Sequence, residues 1–337
     1  MIARVPNGTV AVGITGLGAH APARVLTNAD LAKMVDTSDE WIVERTGIRE
    51  RRIAEPDEAT SDIAVPAALE ALERAGVLPQ EVDLLSVATA SADMVFPASA
   101  SLVGEEIGAL NAAAFDLSAG CTGFVYALAQ AYGAVSAGLA RRVLVVGSET
   151  LSKITDWTDR TTCILFGDGA GAVVIERVED GGFLGFELGS DGSGGPDLCV
   201  PGGGSRAPAS PQTVEQHLHT IRMNGREVYR FATRIMVTSA EQLLAECGLS
   251  VDDIDVYVPH QANKRIIDHA VRRLGLAKEK VVLNVERYGN TSSASIPLAL
   301  SEAVEEGKLS DGETVLMSAV GAGLTWGSAI LVWGNGK

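Results

Sequence analysis

The sequence predicts an α/β protein built from two related halves, and three observations carry that expectation. Aliphatic runs of strand length alternate with amphipathic stretches of helix length along all 337 residues, as in a sheet covered by helices. Segments of the first half recur in order in the second, most of them offset by roughly 170 residues. The chain is also longer than one small core accommodates.

Residues 10–18 read as a first strand ending in a Gly-x-Gly turn, alone a weak phosphate-loop signal. Residues 28–34 form a short helix, and Thr37 and Glu40 have capping-box spacing at the start of the helix that carries Trp41. The most basic stretch of the first hundred residues follows, from Arg45 to Arg52. Residues 61–75 make an amphipathic helix stopped at Gly76, 82–88 a strand, 97–107 a helix and 112–117 a strand. That strand breaks at small residues and presents Cys121 at the mouth of an apolar helix over 125–139. Residues 142–147 are a strongly aliphatic strand, and 166–175 a turn feeding another. From 181 to 211 the composition shifts to Gly, Pro, Ser and Asp, which reads as a connection with limited regular structure. It divides the chain into halves of 1–180 and 181–337. In the second half, 224–246 is helical, 256–260 a strand running into a polar turn, and 263–274 an amphipathic helix. Residues 281–285 read as a strand, 293–306 as a helix, and 314–319 and 327–333 as strands.

The echo pairs 83–88 with 255–260, the Cys121 turn and helix with the Asn290 turn and helix, and 171–175 with 327–331. Asn290 is then the counterpart of Cys121. A pseudo-twofold axis between the halves makes their two helix mouths face one another.

Composition narrows the function. Hydrophobic residues are 46% and charged residues 21%, ordinary for a soluble globular chain. A net charge of −16 opposes nucleic-acid binding, which rests on neutralising phosphates. Cys121, Cys163, Cys199 and Cys247 lie far apart without C-x-x-C spacing, so neither a disulfide framework nor a zinc site is expected, and a reducing compartment fits. Residues 1–11 lack a signal pattern, and no apolar run reaches the roughly 20 residues of a membrane span. The expectation is a cytoplasmic protein without a membrane partner.

Cys121 sits where backbone N–H groups lack intrahelical partners and the macrodipole is positive, which lowers a thiol's pKa and favours the nucleophilic thiolate. A lone cysteine is also a small buried hydrophobe. His260 stands where a strand ends, a favoured place for catalytic side chains on a rigid scaffold, although most single histidines are structural; His20, His217, His219 and His269 keep that reading. Asn290 precedes a helix and is equally an N-cap. The 321–323 turn is able to aim N–H groups at an oxyanion, or is simply tight. Jointly, a cysteine, a histidine and an asparagine each occupy a strand-to-helix junction. On the helix after His260, Arg265 and Arg272 are seven apart and share a face. With Lys264, Arg273 and, from another helix, Arg230, they make a basic cluster on an acidic chain. That cluster is either a solvated face or a dock for an acidic partner.

At this point the sequence resembles β-ketoacyl-acyl-carrier-protein synthase III, the initiating condensing enzyme of type II fatty acid synthesis in the thiolase-like superfamily. The resemblance spans essentially the whole chain. It rests on DTSDEWI from Asp36, RTGIR from Arg45, GCTGF from Gly120, TDR from Thr158 and FGDGAG from Phe166, then VPHQAN from Val258, GNTS from Gly289 and LTWGS from Leu324. It implies a layered α-β-α-β-α fold and a homodimer. It implies a triad of Cys121, His260 and Asn290, with Cys121 taking the acyl group of an acyl-CoA and the Cys121 and Ala322 N–H groups forming the oxyanion hole. His260 and Asn290 would stabilise the enolate of a decarboxylating malonyl-acyl-carrier protein, with no metal and no further cofactor. Elongating synthases carry a second histidine at the position of Asn290, so the asparagine implies a CoA-primed initiator. Trp41 and Arg160 would sandwich the CoA adenine, Thr37 and Arg45 lie beside the nucleotide, and Asn263 beside the pantetheine arm. Phe96 would bound the acyl pocket across the dimer interface. The chain departs from the family at Val320, where phenylalanine is usual, and at Ala322, where the turn is commonly all glycine; both bear on the acyl pocket. Three rivals remain: a cysteine hydrolase, since the order Cys, His, Asn also occurs in papain-like proteases; a related enzyme priming a polyketide or other specialised acyl pathway; and a non-catalytic carrier-binding homologue.

Overall fold

A computed structural model of the chain describes residues 1–6 and 8–334. Strands β1 (Ile2–Arg4) and β2 (Val12–His20) precede a hairpin of β3 (Arg24–Thr27) and β4 (Glu50–Ile53), whose connection holds helices α1 (Asn28–Leu31) and α2 (Asp39–Thr46). Then follow α3 (Thr60–Ala75), β5 (Leu84–Ala88), α4 (Ser99–Ile107), β6 (Ala113–Leu117), α5 (Gly123–Ser136), β7 (Arg142–Thr150) and β8 (Asp168–Arg177). The remainder comprises β9 (Gly182–Ser190), β10 (Leu198–Cys199), α6 (Pro211–Glu215), β11 (Arg222–Met223), α7 (Gly225–Cys247) and β12 (Val256–Pro259). It closes with α8 (Lys264–Leu274), α9 (Val285–Tyr288), α10 (Ser295–Glu305), β13 (Thr314–Gly321) and β14 (Thr325–Val332).

The two large sheets repeat one topology. The first runs β2-β8-β7-β5-β6 and the second β1-β9-β14-β13-β12. In each, an antiparallel trio (β2, β8, β7; β9, β14, β13) is extended by a parallel strand, β5 or β12. Side chains alternate across β7: Val143 and Val145 join a core shared with α5, α10 and the second sheet, whereas Leu144 and Val146 pack against α3 and α4. On the second sheet, Val315 and Met317 face the shared core, and Leu316 joins α7 and α8. The layers are therefore α3/α4, sheet, α5/α10, sheet, α7/α8. Strands covered on both faces read as continuous apolar runs, as β7 does.

Several expectations are corrected. The Gly-x-Gly of residues 16–18 lies inside β2, not in a turn, because α3 crosses there: a Cβ on Gly16 would stand 2.1 Å from the Ala71 carbonyl oxygen, and one on Gly18 2.2 Å from that of Ala67. The glycine-rich segment from 181 begins with β9, whose Phe183, Phe186 and Leu188 enter the shared core. Residues 281–285 contribute one bridge, Tyr257 to Val281, before turning into α9. The cap of α2 is Ser38, whose hydroxyl accepts the Trp41 N–H, and not Thr37. The basic run of 45–52 also contains one interior residue, Arg51. This side chain is fully buried, donating to Asn28 Oδ1 at 2.8 Å and the Ile164 carbonyl at 2.7 Å. Near the N-terminus, β1 pairs with β9 and so belongs to the second sheet.

Candidate active site

The site forms where the two central helices begin. From β6 the chain enters a 3₁₀ turn, Gly120–Thr122, that carries Cys121 into α5. Gly120 has φ of 52°, and a Cβ there would lie 2.7 Å from Ala322 N. A Cβ on Gly321 would lie 2.6 Å from Cys121 N. Glycine at both positions lets the two turns touch backbone to backbone. Hydroxyls fasten the contact: Thr122 Oγ1 and Thr325 Oγ1 are 2.8 Å apart, and Thr325 Oγ1 also donates toward the carbonyls of Ala119 at 2.9 Å and Ala322 at 3.0 Å.

Cys121 as a residue is partly exposed, yet its sulfur is surrounded by packed protein. Burial pushes its thiol up to about 12, against an opposing hydrogen bond with the Ser292 side chain, and the Glu149 carboxylate adds to the rise. This corrects the expectation of a thiol depressed by the helix mouth. Desolvation of a thiolate outweighs a partial charge at one helix end. The resting side chain is a neutral thiol.

His260 follows β12, and its N–H donates to the Ser318 carbonyl at 2.8 Å. Its Nδ1 is 2.6 Å from Ser295 Oγ, and its Nε2 is buried without a hydrogen-bond partner. Burial lowers its pKa to about 3, so the ring is neutral at physiological pH. The unfolded chain takes up the proton first, so the ring's contribution to stability is complete above the ordinary 6.5 and declines as pH falls toward 3. The expected slope is at most about 1.4 kcal/mol per pH unit. His260→Gln should therefore flatten the fall in Tm between about pH 6 and about pH 4 in scanning calorimetry; an unchanged fall would mean that the ring is not held neutral by burial.

Asn290 is fixed at both ends of its backbone, its N–H donating to Leu165 O at 2.8 Å and its carbonyl accepting from Gly167 N at 3.0 Å. Its Oδ1 accepts the Ser292 N–H at 2.9 Å. Behind it lies Glu149, fully buried, accepting from Ser293 Oγ at 2.6 Å, Ser91 Oγ at 2.6 Å and the Ala90 N–H at 3.0 Å. The carboxylate thus joins the Asn290 turn to the end of β5.

Cys121, His260, Asn290, Asn263 and Val320 line one cavity of about 110 Å³. A second cavity, of about 190 Å³, meets it at Cys121, Phe166 and Leu198, and is walled by Leu151, Ile154, Val200 and Ile221 with Ala322 at its edge. At the rim of the first, Arg160 and Arg45 stand 5.6 and 5.8 Å from the Trp41 ring centroid. Arg160 also donates to the Asp36 carbonyl at 2.8 Å. Asn263 caps α8, and its Nδ2 donates to the Arg45 carbonyl at 3.1 Å, linking this rim to the cavity wall. The Thr37 hydroxyl is buried without a partner.

Val320 falls elsewhere than expected, and Phe96 lies on the surface of the single chain. Val320 lines the cavity of His260 and Asn290 and not the second one. Phe96 is 82% exposed beside exposed Met94 and Val95, and lines neither cavity. The basic residues of α8, Lys264, Arg265, Arg272 and Arg273, are exposed. Lys264 pairs with Asp268 at 2.7 Å, Arg230 pairs with Glu227, and Arg265 lies 5.7 Å from the Tyr229 ring centroid. Ser295 and Glu149 carry no reading from the sequence, and Ser292 and Gln261 stand in it only as members of the GNTS and VPHQAN runs; the run of small hydroxyl residues after Asn290 is the one available signal.

The family model for 3-oxoacyl-[acyl-carrier-protein] synthase III matches residues 115–192, and that for its C-terminal part matches 244–333. A β-ketoacyl-[acyl-carrier-protein] synthase III from Symbiobacterium thermophilum is 57% identical over 325 residues, 96% of this chain and 98% of the relative. The crystal structure of the corresponding synthase from Thermus thermophilus superposes with a TM-score of 0.89 at 52% identity, covering 96% of this chain and 99% of that one. A priming β-ketosynthase of a polyketide biosynthetic pathway gives a TM-score of 0.90 at 39% identity, with 99% of each chain covered. Two sheets of one topology, a cysteine, histidine and asparagine converging on one cavity, and relatives more than 50% identical over nearly the whole chain place this chain in the β-ketoacyl-[acyl-carrier-protein] synthase III family.

Proposed function

We propose that the protein condenses a short acyl-CoA with malonyl-acyl-carrier protein, giving a β-ketoacyl-carrier protein, CoA and CO₂, the step that initiates fatty acid synthesis. The observation that carries this is the convergence of Cys121, His260 and Asn290 on one cavity. Cys121 Sγ attacks the thioester carbonyl, with the Cys121 and Ala322 N–H groups as oxyanion donors. The carbonyl re-forms, and the proton lost by the thiol ends on the departing CoA sulfur. Malonyl-carrier protein then enters, and the electron pair of its breaking C–C bond becomes an enolate. The enolate oxygen takes hydrogen bonds from His260 and the Asn290 amide, both neutral. Its carbon attacks the acyl group, and the Cys121 thiolate leaves and is reprotonated.

Residues 1–180 supply the nucleophile and 181–337 the two enolate donors. The Trp41 ring, with Arg45 and Arg160 near it, supports a site for the CoA adenine, by stacking and cation–π contact, with Thr37 beside the nucleotide and Asn263 beside the pantetheine arm. The acyl chain occupies the second cavity. Val320, on the His260 side, gives room beside the arm and the enolate and leaves the acyl chain unaffected. Phe96 closes the second cavity from another protomer. Exposed Phe96, Val95, Leu110 and Phe115, near the uncovered edge strand β6, support that homodimer. The protein acts in the cytoplasm; among the described residues no helix is long and apolar enough to cross a membrane.

The likeness to a polyketide-priming ketosynthase favours a second reading, in which the primer is a larger acyl group for a specialised pathway. Intact-mass spectrometry after incubation with acetyl-, branched and longer acyl-CoAs decides. A short-chain adduct on Cys121, released by malonyl-carrier protein, supports initiation of fatty acid synthesis. Exclusive loading of longer acyl groups supports the second reading, and absence of any adduct refutes both.

The basic face of α8, with Arg230, is the dock for the acidic carrier protein. Arg265→Glu is expected to raise the KM for malonyl-carrier protein about tenfold and to leave acyl-CoA loading unchanged. Equal losses in the two half-reactions, measured separately, would count against docking at this face.

A further inference from the structure

Ser295 is the first residue of α10, five beyond Asn290, and is 1% exposed. Its Oγ has two neighbours: it receives the Gln261 N–H at 3.3 Å and lies 2.6 Å from His260 Nδ1. A serine hydroxyl has a single proton to give. With the Gln261 N–H pointing at the oxygen, the hydroxyl proton finds its acceptor at His260 Nδ1. The reverse polarity, Nδ1–H donating into Oγ, would leave that proton buried with nothing to receive it, which costs about 1–3 kcal/mol. The neutral imidazole has one N–H. If Nδ1 is the acceptor, the proton resides on Nε2, the buried atom without a partner on the wall of the catalytic cavity.

We propose that Ser295 is a positioning residue that fixes His260 as the Nε2–H tautomer, so that the ring meets the reacting groups as a hydrogen-bond donor and never as the base for Cys121. This rests on the condensation proposed above. Gln261 supports the arrangement. It is 1% exposed; its Nε2 donates to the carbonyls of Pro259 at 2.8 Å and Val282 at 3.1 Å, and its Oε1 accepts the N–H groups of Asn284 at 3.1 Å and Val285 at 3.3 Å. The backbone N–H that orients the serine is thereby clamped. The same short segment sets the polarity of the other donor. Ser292 N–H occupies Asn290 Oδ1, which leaves the amide NH₂ as the free end. Residues 290–295 thus turn two ambivalent side chains into two donors aimed at one developing negative charge. The cost of reorganising them falls on folding and not on the chemical step.

The test reads the tautomer directly and then asks whether it matters. In protein labelled with ¹⁵N-histidine, the His260 ring signals are identified by their loss in His260→Ala. Nε2 is expected to resonate as the protonated nitrogen and Nδ1 as the bare one. Ser295→Ala is expected to lower the rate of malonyl decarboxylation and condensation about tenfold, with acyl transfer to Cys121 within about twofold of normal. Ser295→Thr, which keeps the hydroxyl, is expected to keep both the tautomer and most of the rate. A proton on Nδ1 in the unaltered protein overturns the proposal, even if the alanine variant fails to fold. So does Ser295→Ala with unchanged tautomer and unchanged condensation. If His260→Ala decarboxylates normally, it is the reaction reading that fails, while the tautomer result in the unaltered protein stands.

Discussion

Cys121→Ala is expected to carry no acyl group after incubation with any acyl-CoA and to lose condensation by at least about 10³-fold, the scale on which removal of a covalent nucleophile is felt. Intact mass and product formation read the two losses. Cys121→Ser is expected to fare little better, because an alcohol starts from a higher pKa than even the raised thiol and the site holds no base to take its proton. Decarboxylation of malonyl-carrier protein should survive in both, since the enolate donors are untouched. An acyl adduct on Cys121→Ala, or full condensation by Cys121→Ser, would remove Cys121 from the role of nucleophile.

His260→Ala and Asn290→Ala are expected to give the opposite division. Each should still accept an acyl group from acyl-CoA, with the adduct accumulating because its consumption is slow. Each should lose decarboxylation and condensation by about 10²–10³-fold, the loss typical of one oxyanion donor in a water-poor site. The double variant should lose much less than the product of the two factors, because both donors serve one oxygen. Single-turnover measurements of loading and of CO₂ release separate the half-reactions. Equal impairment of the two by either substitution would contradict the division of labour.

What was legible in the sequence follows from how local each cause is. Cys121, His260 and Asn290 stand out because each interrupts a strand-to-helix junction, a short-range pattern, and the repeat of that pattern pairs Asn290 with Cys121. The strand at Gly182–Ser190 was hidden because its glycines read as turns. In space Gly189 lies against the indole of Trp326, where a Cβ would come within 2.2 Å of the ring. Glycine there serves close packing across 137 residues of chain. The thiol of Cys121 failed for a related reason. The helix mouth is a local fact, whereas desolvation of the sulfur arises only once the second half folds over it. Ser38 in place of Thr37 as the cap is a choice between two adjacent hydroxyls that spacing alone does not make. Ser295 and Gln261 act on His260 through contacts that have no sequence period at all.

The central layer has one more consequence. Helices α5 and α10 sit between the two sheets, and their apolar residues belong to one cluster with strands of both. The inner face of each sheet is therefore covered by helices of both halves, and β1 stitches the first residues to the second sheet. Severed from its twin, either half would present a bare apolar face to water and lose the covering worth about 1.5–3 kcal/mol for each large aliphatic side chain. The two sheets thus share one core. They are interdependent, and catalytic competence appears only as a property of the finished whole.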